Sequence, residues 1–260
     1  MLFQELQQYL LTYSLFIPRL LGCFTTLPIL SKKLLGGTLL RNGILFSLIF
    51  FLIPTIDTQL IINISGNEYI LLIIKEILLG FFFGYIAAIP FWMMQSIGFM
   101  IDNQRGTTMA SIVNPLFDEQ TSPMGLFFSQ AFTTLFFISG NFLFLVQTLY
   151  HSFSVWPIYH FLPGFNQQLF IFFIQQFKLM LDNFLLLAAP LVIAMFIVEW
   201  GLALISRFAP SLNVFILSMP LKGAISSLLL VSYFSVLIFN AEIIQNQINK
   251  SFKILIQTMS

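Results

Sequence analysis

Charge is what this sequence has least of. Only 8% of its 260 residues are Asp, Glu, Lys or Arg, while 58% are hydrophobic. Soluble domains carry about 25% charged residues, so a soluble fold of this length would lack the charge to cover its surface. The composition is that of an integral membrane protein. Net charge is only +1, which excludes the basic stripe of a nucleic-acid reader. Cysteine is nearly absent. Cys23 sits alone in an apolar segment, so no internal disulfide can form, and it reads as a small buried hydrophobe. Histidine is scarce as well. His151 and His160 lie nine residues apart in a loop-like stretch, without metal-ligand spacing. Neither a metal nor a cofactor is expected. The chain has no HExxH, GxSxG or Walker loop, and no Ser and His spaced as nucleophile and base. An enzyme is not expected. No Lys or Arg precedes Arg19, so the basic start of a secretory signal is missing and the first apolar segment is expected to be retained.

Long apolar runs dominate what is present. A helix needs about 20 apolar residues to cross the hydrocarbon core. Stretches 8–30, 43–62, 69–101, 124–150, 168–200 and 224–240 qualify. Six spans is the simple count, and seven or eight follow if the longest runs are hairpins. Pro190 is expected to kink or divide its helix, because proline lacks a donor and clashes with the preceding turn. The expected fold is all-α: a polytopic membrane protein of helical hairpins, forming one membrane-embedded domain over 1–260. Residues 242–260 form an amphipathic tail, with Ile244, Ile248, Phe252, Leu255, Ile256 and Met259 at helical spacing. That tail suits a membrane surface or a partner. Lys32, Lys33 and Arg41 mark the first loop as cytoplasmic. Six spans then put both termini outside, whereas Lys250 and Lys253 argue for a cytoplasmic tail. Either one stretch is a hairpin, or the helices do not form an ordinary bundle in a flat bilayer.

The run from Ile77 to Ile101 contains no charged residue and ends in a compact polar island, Asp102-Asn-Gln104-Arg105-Gly106. Polar groups near hydrocarbon are costly and must find partners, so function is sought there first. Lys75 and Glu76 are adjacent and point in different directions along a helix, so they are not an obvious pair. Glu199 and Arg207 are about two turns apart, too far to touch. Each is expected to meet another helix or subunit, as is Lys222. Gly80-Phe-Phe-Phe-Gly84 is a small-xxx-small pattern that lets another helix approach closely.

Ordered motifs carry a resemblance. They begin with Leu30-Ser-Lys-Lys-Leu-Leu-Gly-Gly37 and Leu40-Arg-Asn-Gly43. Ile89-Pro-Phe-Trp92, the Asp102–Gly106 island, Asn114-Pro115 and Gln120-Thr-Ser-Pro123 follow. Late in the chain come Ala189-Pro190, Glu199, Gly201-Leu-Ala-Leu-Ile-Ser-Arg207, Phe208-Ala-Pro210-Ser-Leu-Asn213-Val-Phe215 and Pro220-Leu-Lys222. Together they resemble the export-gate T subunits of type III secretion injectisomes, in the FliR/SpaR family that includes the flagellar FliR protein. The likeness is nearer to the injectisome branch, notably the Yersinia-type T proteins. The tail after Glu242 has no counterpart in it.

The resemblance implies a multi-pass protein of the bacterial inner membrane that acts structurally and in gating. It would assemble with R-type and S-type subunits, with the U-type switch protein and with the V-type export gate protein. The assembly is an entry pore for unfolded effector and needle proteins, whose helices need not cross a flat bilayer. By the same resemblance, Asp102, Gln104, Arg105, Gly106, Asn114 and Pro115 belong to a pore-closing loop and its root. Gly80, Gly84, Glu199, Arg207, Pro210, Asn213 and Lys222 are candidates for inter-helix or subunit contacts. Membrane lipid is a further partner; nucleic acid is not. The alternative is a secondary transporter of a small solute, which would need a site built on discontinuous helices.

Overall fold

The computed structural model describes residues 2–30, 37–52, 66–107, 122–158, 167–209 and 213–259. Among them are seven α-helices and no strand. The helices are α1 (Leu2–Thr26), α2 (Thr38–Leu52), α3 (Gly66–Arg105), α4 (Pro123–Ile138), α5 (Asn141–Val155), α6 (Gln167–Phe208) and α7 (Val214–Met259), with a short 3-10 turn at Pro28–Leu30. The all-α membrane architecture is as the composition implies.

The longest apolar runs are single helices, not hairpins. α3, α6 and α7 have 40, 42 and 46 residues and carry Pro90, Pro190 and Pro220 inside them. Pro190 does not divide α6. In an apolar setting every backbone group must be satisfied within the protein, so a helix loses less by continuing past a proline than by breaking. Three described helices are long and apolar enough to cross a membrane. A fourth span results if α4 and α5, bent by 69° at their junction, count as one. Six was the expectation. The difference lies in the first two stretches: α1 is not among the helices apolar enough to span, and α2 has only 15 residues over the described part of the chain.

The chain divides into two compact units. The first comprises Met1–Ile89, Gly140–Ile174 and Gln247–Ser260. Its core contains Leu15, Leu20, Phe24, Leu79, Phe83 and Leu149, all buried. The end of α7 belongs to this core. Ile248, Phe252 and Leu255 are buried, and the Phe252 ring lies 6.2 Å from that of Phe83 and 6.5 Å from that of Phe144. The apolar stripe from Glu242 therefore continues α7 without a break, and its Ile248, Phe252 and Leu255 are buried within this chain.

The second unit comprises Pro90–Ser139 and Gln175–Asn246. Phe91 anchors it, edge-on to Phe132 at 4.7 Å and to Phe136 at 5.2 Å. Gly98 of α3 lies against Gly125 of α4 so closely that a Cβ on Gly98 would strike the Gly125 backbone nitrogen. Outside these cores, α6 and α7 expose Leu186, Ile197, Trp200, Leu204, Leu228 and Val231. Such a surface suits hydrocarbon or other helices, not water.

Candidate functional site

Among the described residues, three clusters of charged side chains interrupt the apolar packing. The first closes α3. Gly106 adopts φ +79°, in the left-handed region that ends helices, and its N–H donates to the Asn103 carbonyl at 3.0 Å. One turn earlier stands Asp102, buried. Its Oδ2 accepts the Ser122 hydroxyl at 2.7 Å and the Met124 N–H at 2.8 Å. Ser122 is the N-cap of α4, accepting the Gly125 N–H at 2.9 Å, with Pro123 at the start of the helix. The carboxylate thus sits at the positive end of α4. The backbone carbonyl of Asp102 accepts the Thr107 hydroxyl at 2.9 Å. The residues flanking 108–121 on both sides are therefore tied to one aspartate.

Arg105 is the neighbour of this clasp more than its partner. Its Nη1 is 4.0 Å from Asp102 Oδ1, the outer limit of an ion pair. Its Nε donates to the Ser226 hydroxyl on α7. Its Nη2 is buried without a hydrogen-bond acceptor among the described residues. Gln104 is half-buried, and Gly106 faces Met219 of α7, whose atoms a Cβ would meet at 3.3 Å. Asn114, Pro115 and Pro210 lie outside the described residues.

The second cluster lies in the first unit, and sequence reasoning missed it. Arg19 of α1 is fully buried. Its Nε and Nη2 fork onto Glu76 Oε2 and Oε1 at 2.6 and 3.0 Å, the bidentate geometry that suits guanidinium and carboxylate. Nη1 donates to Ser152 Oγ at 3.0 Å and Nη2 to the Trp156 carbonyl at 3.1 Å. The guanidinium carbon stands 4.0 Å from the centroid of the Phe153 ring. Lys75 corrects the reading of its sequence neighbourhood. Its Nζ lies 2.9 Å from Glu76 Oε1 and donates to the Ile158 carbonyl at 2.6 Å. Adjacent side chains do diverge at Cβ, but two long side chains can swing together, and in this apolar core Glu76 takes both Lys75 and Arg19.

Glycine makes this cluster possible. Glu76, Gly80 and Gly84 recur every four residues and so share a face of α3. A Cβ on Gly80 would strike the Arg19 carbonyl, and one on Gly84 would lie 2.5 Å from the Cys23 carbonyl. The bare stripe lets α1 approach until Arg19 reaches Glu76. The small-xxx-small pattern therefore meets a helix of the same chain.

The third cluster joins α6 to α7. Lys222 Nζ is 3.3 Å from Glu199 Oε2, with the Lys222 side chain 10% and that of Glu199 46% exposed. Asn213 precedes α7 and caps it, its Oδ1 facing the Ile216 N–H at 3.5 Å. Arg207 is exposed in the last turn of α6, where a cation suits the negative end of the helix. The structure thus brings Glu199 to Lys222 and leaves Arg207 apart from both. Among the described residues, no group of three His, Cys, Asp or Glu could hold a metal ion.

Fold and clusters together describe an apolar helical scaffold whose buried charges are consumed in fastening helices. The model of the bacterial export proteins, family 1, matches residues 10–249 of this sequence. The chain belongs to that family. Its relatives within it include the Yop proteins translocation protein T of Yersinia pestis, 54% identical over 228 residues that cover 88% of this chain and 87% of the relative. The secretion system apparatus protein SsaT of Salmonella typhimurium is 36% identical, with 88% and 90% of the two chains covered. The flagellar biosynthetic protein FliR of Bacillus subtilis is 30% identical, with 84% of each covered. This member of the family is a multi-pass inner-membrane protein. Arg19, Ser152 and Ser226 are the site residues that sequence reading passed over, and Glu76 was named there without its partners. The available signal was a lone Arg in one apolar run and the Lys75-Glu76 pair in another.

Proposed function

We propose that this chain is a structural and gating subunit of a type III protein-export apparatus, with no catalytic step of its own. The observation that carries the reading is the family match over nearly the whole chain, together with 54% identity to a protein named for Yop translocation. The arrangement of charge agrees with it. Arg19, Lys75, Glu76 and Asp102 are buried, and each of them bonds to another helix or to a helix end.

The chain assembles with other export components. Those components are R-type and S-type subunits, with the U-type switch protein and the V-type gate protein in contact with the assembly, and unfolded secreted proteins are its cargo. Asp102, Gln104, Arg105 and Gly106 hold the root of the segment that includes Asn114 and Pro115. Gly80 and Gly84 set the α1–α3 crossing, while Glu199, Arg207, Pro210, Asn213 and Lys222 serve the α6–α7 hairpin and its contacts.

Extraction in mild detergent tests the proposal. The chain should leave the membrane within a large hetero-oligomer, and cells lacking it should lose secretion of needle and effector proteins. Extraction as a lone monomer, with solute uptake by the purified chain in liposomes, would establish the transporter reading instead.

A further inference from the structure

We propose that an apolar cavity in the second unit is the socket for a side chain of a neighbouring membrane helix, and that Glu242 meets a Lys or Arg carried by that same helix. This rests on the reading of the chain as a subunit of an export complex. The cavity measures about 250 Å³ and is walled by Met94 of α3, Phe128 and Phe132 of α4, and Phe234 and Leu237 of α7. Thr134 and Ser139 also line it, but their hydroxyls already donate to the carbonyls of Gln130 and Leu135. Glu242 is the one ionisable group of the lining. It is exposed, and none of the ion pairs among the described residues includes it.

Size narrows the occupant. The cavity exceeds the roughly 150 Å³ that accepts a benzene and falls below the roughly 300–1,000 Å³ of sites for drug-sized ligands. One large aliphatic or aromatic side chain, with part of its neighbour, fits that range. Charge narrows it further. Glu242 stands where α7 changes from Leu237-Ile-Phe239 to Gln245-Asn-Gln247, so the rim lies where apolar surface gives way to polar. A phospholipid that put an acyl chain into the cavity would bring its phosphate towards this carboxylate, and like charges repel. A helix can place an apolar side chain in the socket and a cation one turn away, three or four residues along the same face. The observations therefore favour a protein helix over a lipid.

A photo-crosslinking residue at the exposed Thr134 of the full-length chain, in cells with the complete export apparatus, tests this. Irradiation should yield an adduct with one segment of another subunit, mapped by mass spectrometry to a peptide with Lys or Arg within four residues of the link. Glu242→Lys should lower the yield about tenfold, while Glu242→Asp should keep it within about twofold. An intact complex without a protein adduct overturns the proposal and leaves the export-subunit reading standing. So does an adduct with a second copy of this chain, a linked peptide without a basic residue, or a yield unchanged by Glu242→Lys. Recovery of the chain alone from the membrane overturns both.

Discussion

Asp102 Oδ2 and the Ser122 hydroxyl lie 2.7 Å apart across twenty positions of sequence. That bond, with the one from the Met124 N–H, makes the last turn of α3 the cap of α4. Asp102→Ala removes the oxygen that accepts both bonds and leaves a part-buried hydroxyl and N–H to find others. The expected loss is about 1–3 kcal/mol. Asp102→Asn keeps an oxygen acceptor but not the charge at the helix N-terminus, and should lose about 0.3–1 kcal/mol through that term. Unfolding followed by circular dichroism in detergent checks the order. Equal midpoints for wild type and Asp102→Ala would show that the clasp carries no stability.

The buried Arg19–Glu76–Lys75 cluster places two cations on one carboxylate. Glu76→Ala leaves both cations without a counter-charge and should cost on the order of 3–5 kcal/mol. Lys75→Met keeps the bidentate Arg19–Glu76 pair and removes the excess cation, so it should change stability by less than about 1.5 kcal/mol. The comparison is read from folded yield and unfolding midpoint. A Lys75→Met protein as unstable as Glu76→Ala would contradict the assignment of Glu76 as the hub.

Two glycines in long helices should respond to alanine with opposite signs. A Cβ at Gly84 would meet the Thr26 hydroxyl and lie 2.8 Å from Cys23 Cα, so α1 would have to move away. Gly84→Ala should cost about 1–3 kcal/mol. At Gly201 nothing lies within 4 Å, and alanine should raise stability by about 0.5–1 kcal/mol through helix propensity. Both are measured on the isolated chain in detergent. Destabilisation by Gly201→Ala there would show that the α6 backbone needs glycine for itself.

Much of this was legible before the structure. The scarcity of charge marks the membrane class, and the polar island after a 25-residue uncharged run marks Asp102. The rest needed three dimensions. Arg19 and Glu76 are 57 positions apart, and no spacing rule links residues on different helices. Pro190 does not divide its helix, because proline's helix-breaking tendency is measured against water, which can satisfy a freed carbonyl, and hydrocarbon cannot. The tail looked free because its apolar stripe is complete in itself. Only the rings of Phe83 and Phe144 beside Phe252 reveal what covers part of it. Asp102 and Arg105, three apart on one helix, stand 4.0 Å from each other as that spacing allows, but nothing in the spacing shows that Arg105 also reaches Ser226 on α7.

Glu199 and Lys222 separate folding from assembly. Their 3.3 Å contact is partly exposed, and such pairs contribute about 0.2–1 kcal/mol. Glu199→Ala should therefore leave the unfolding midpoint of the isolated chain nearly unchanged. If the exposed part of Glu199 also meets a neighbouring subunit, the same variant should weaken the hetero-oligomer on native gels and reduce secretion in cells. The exchange of Glu199→Lys with Lys222→Glu sharpens the test. It rebuilds the pair within the chain but presents the opposite charge outward. Restored secretion in the exchanged protein would confine Glu199 to the hairpin. Continued loss, with normal stability, would identify its carboxylate as a contact to another subunit.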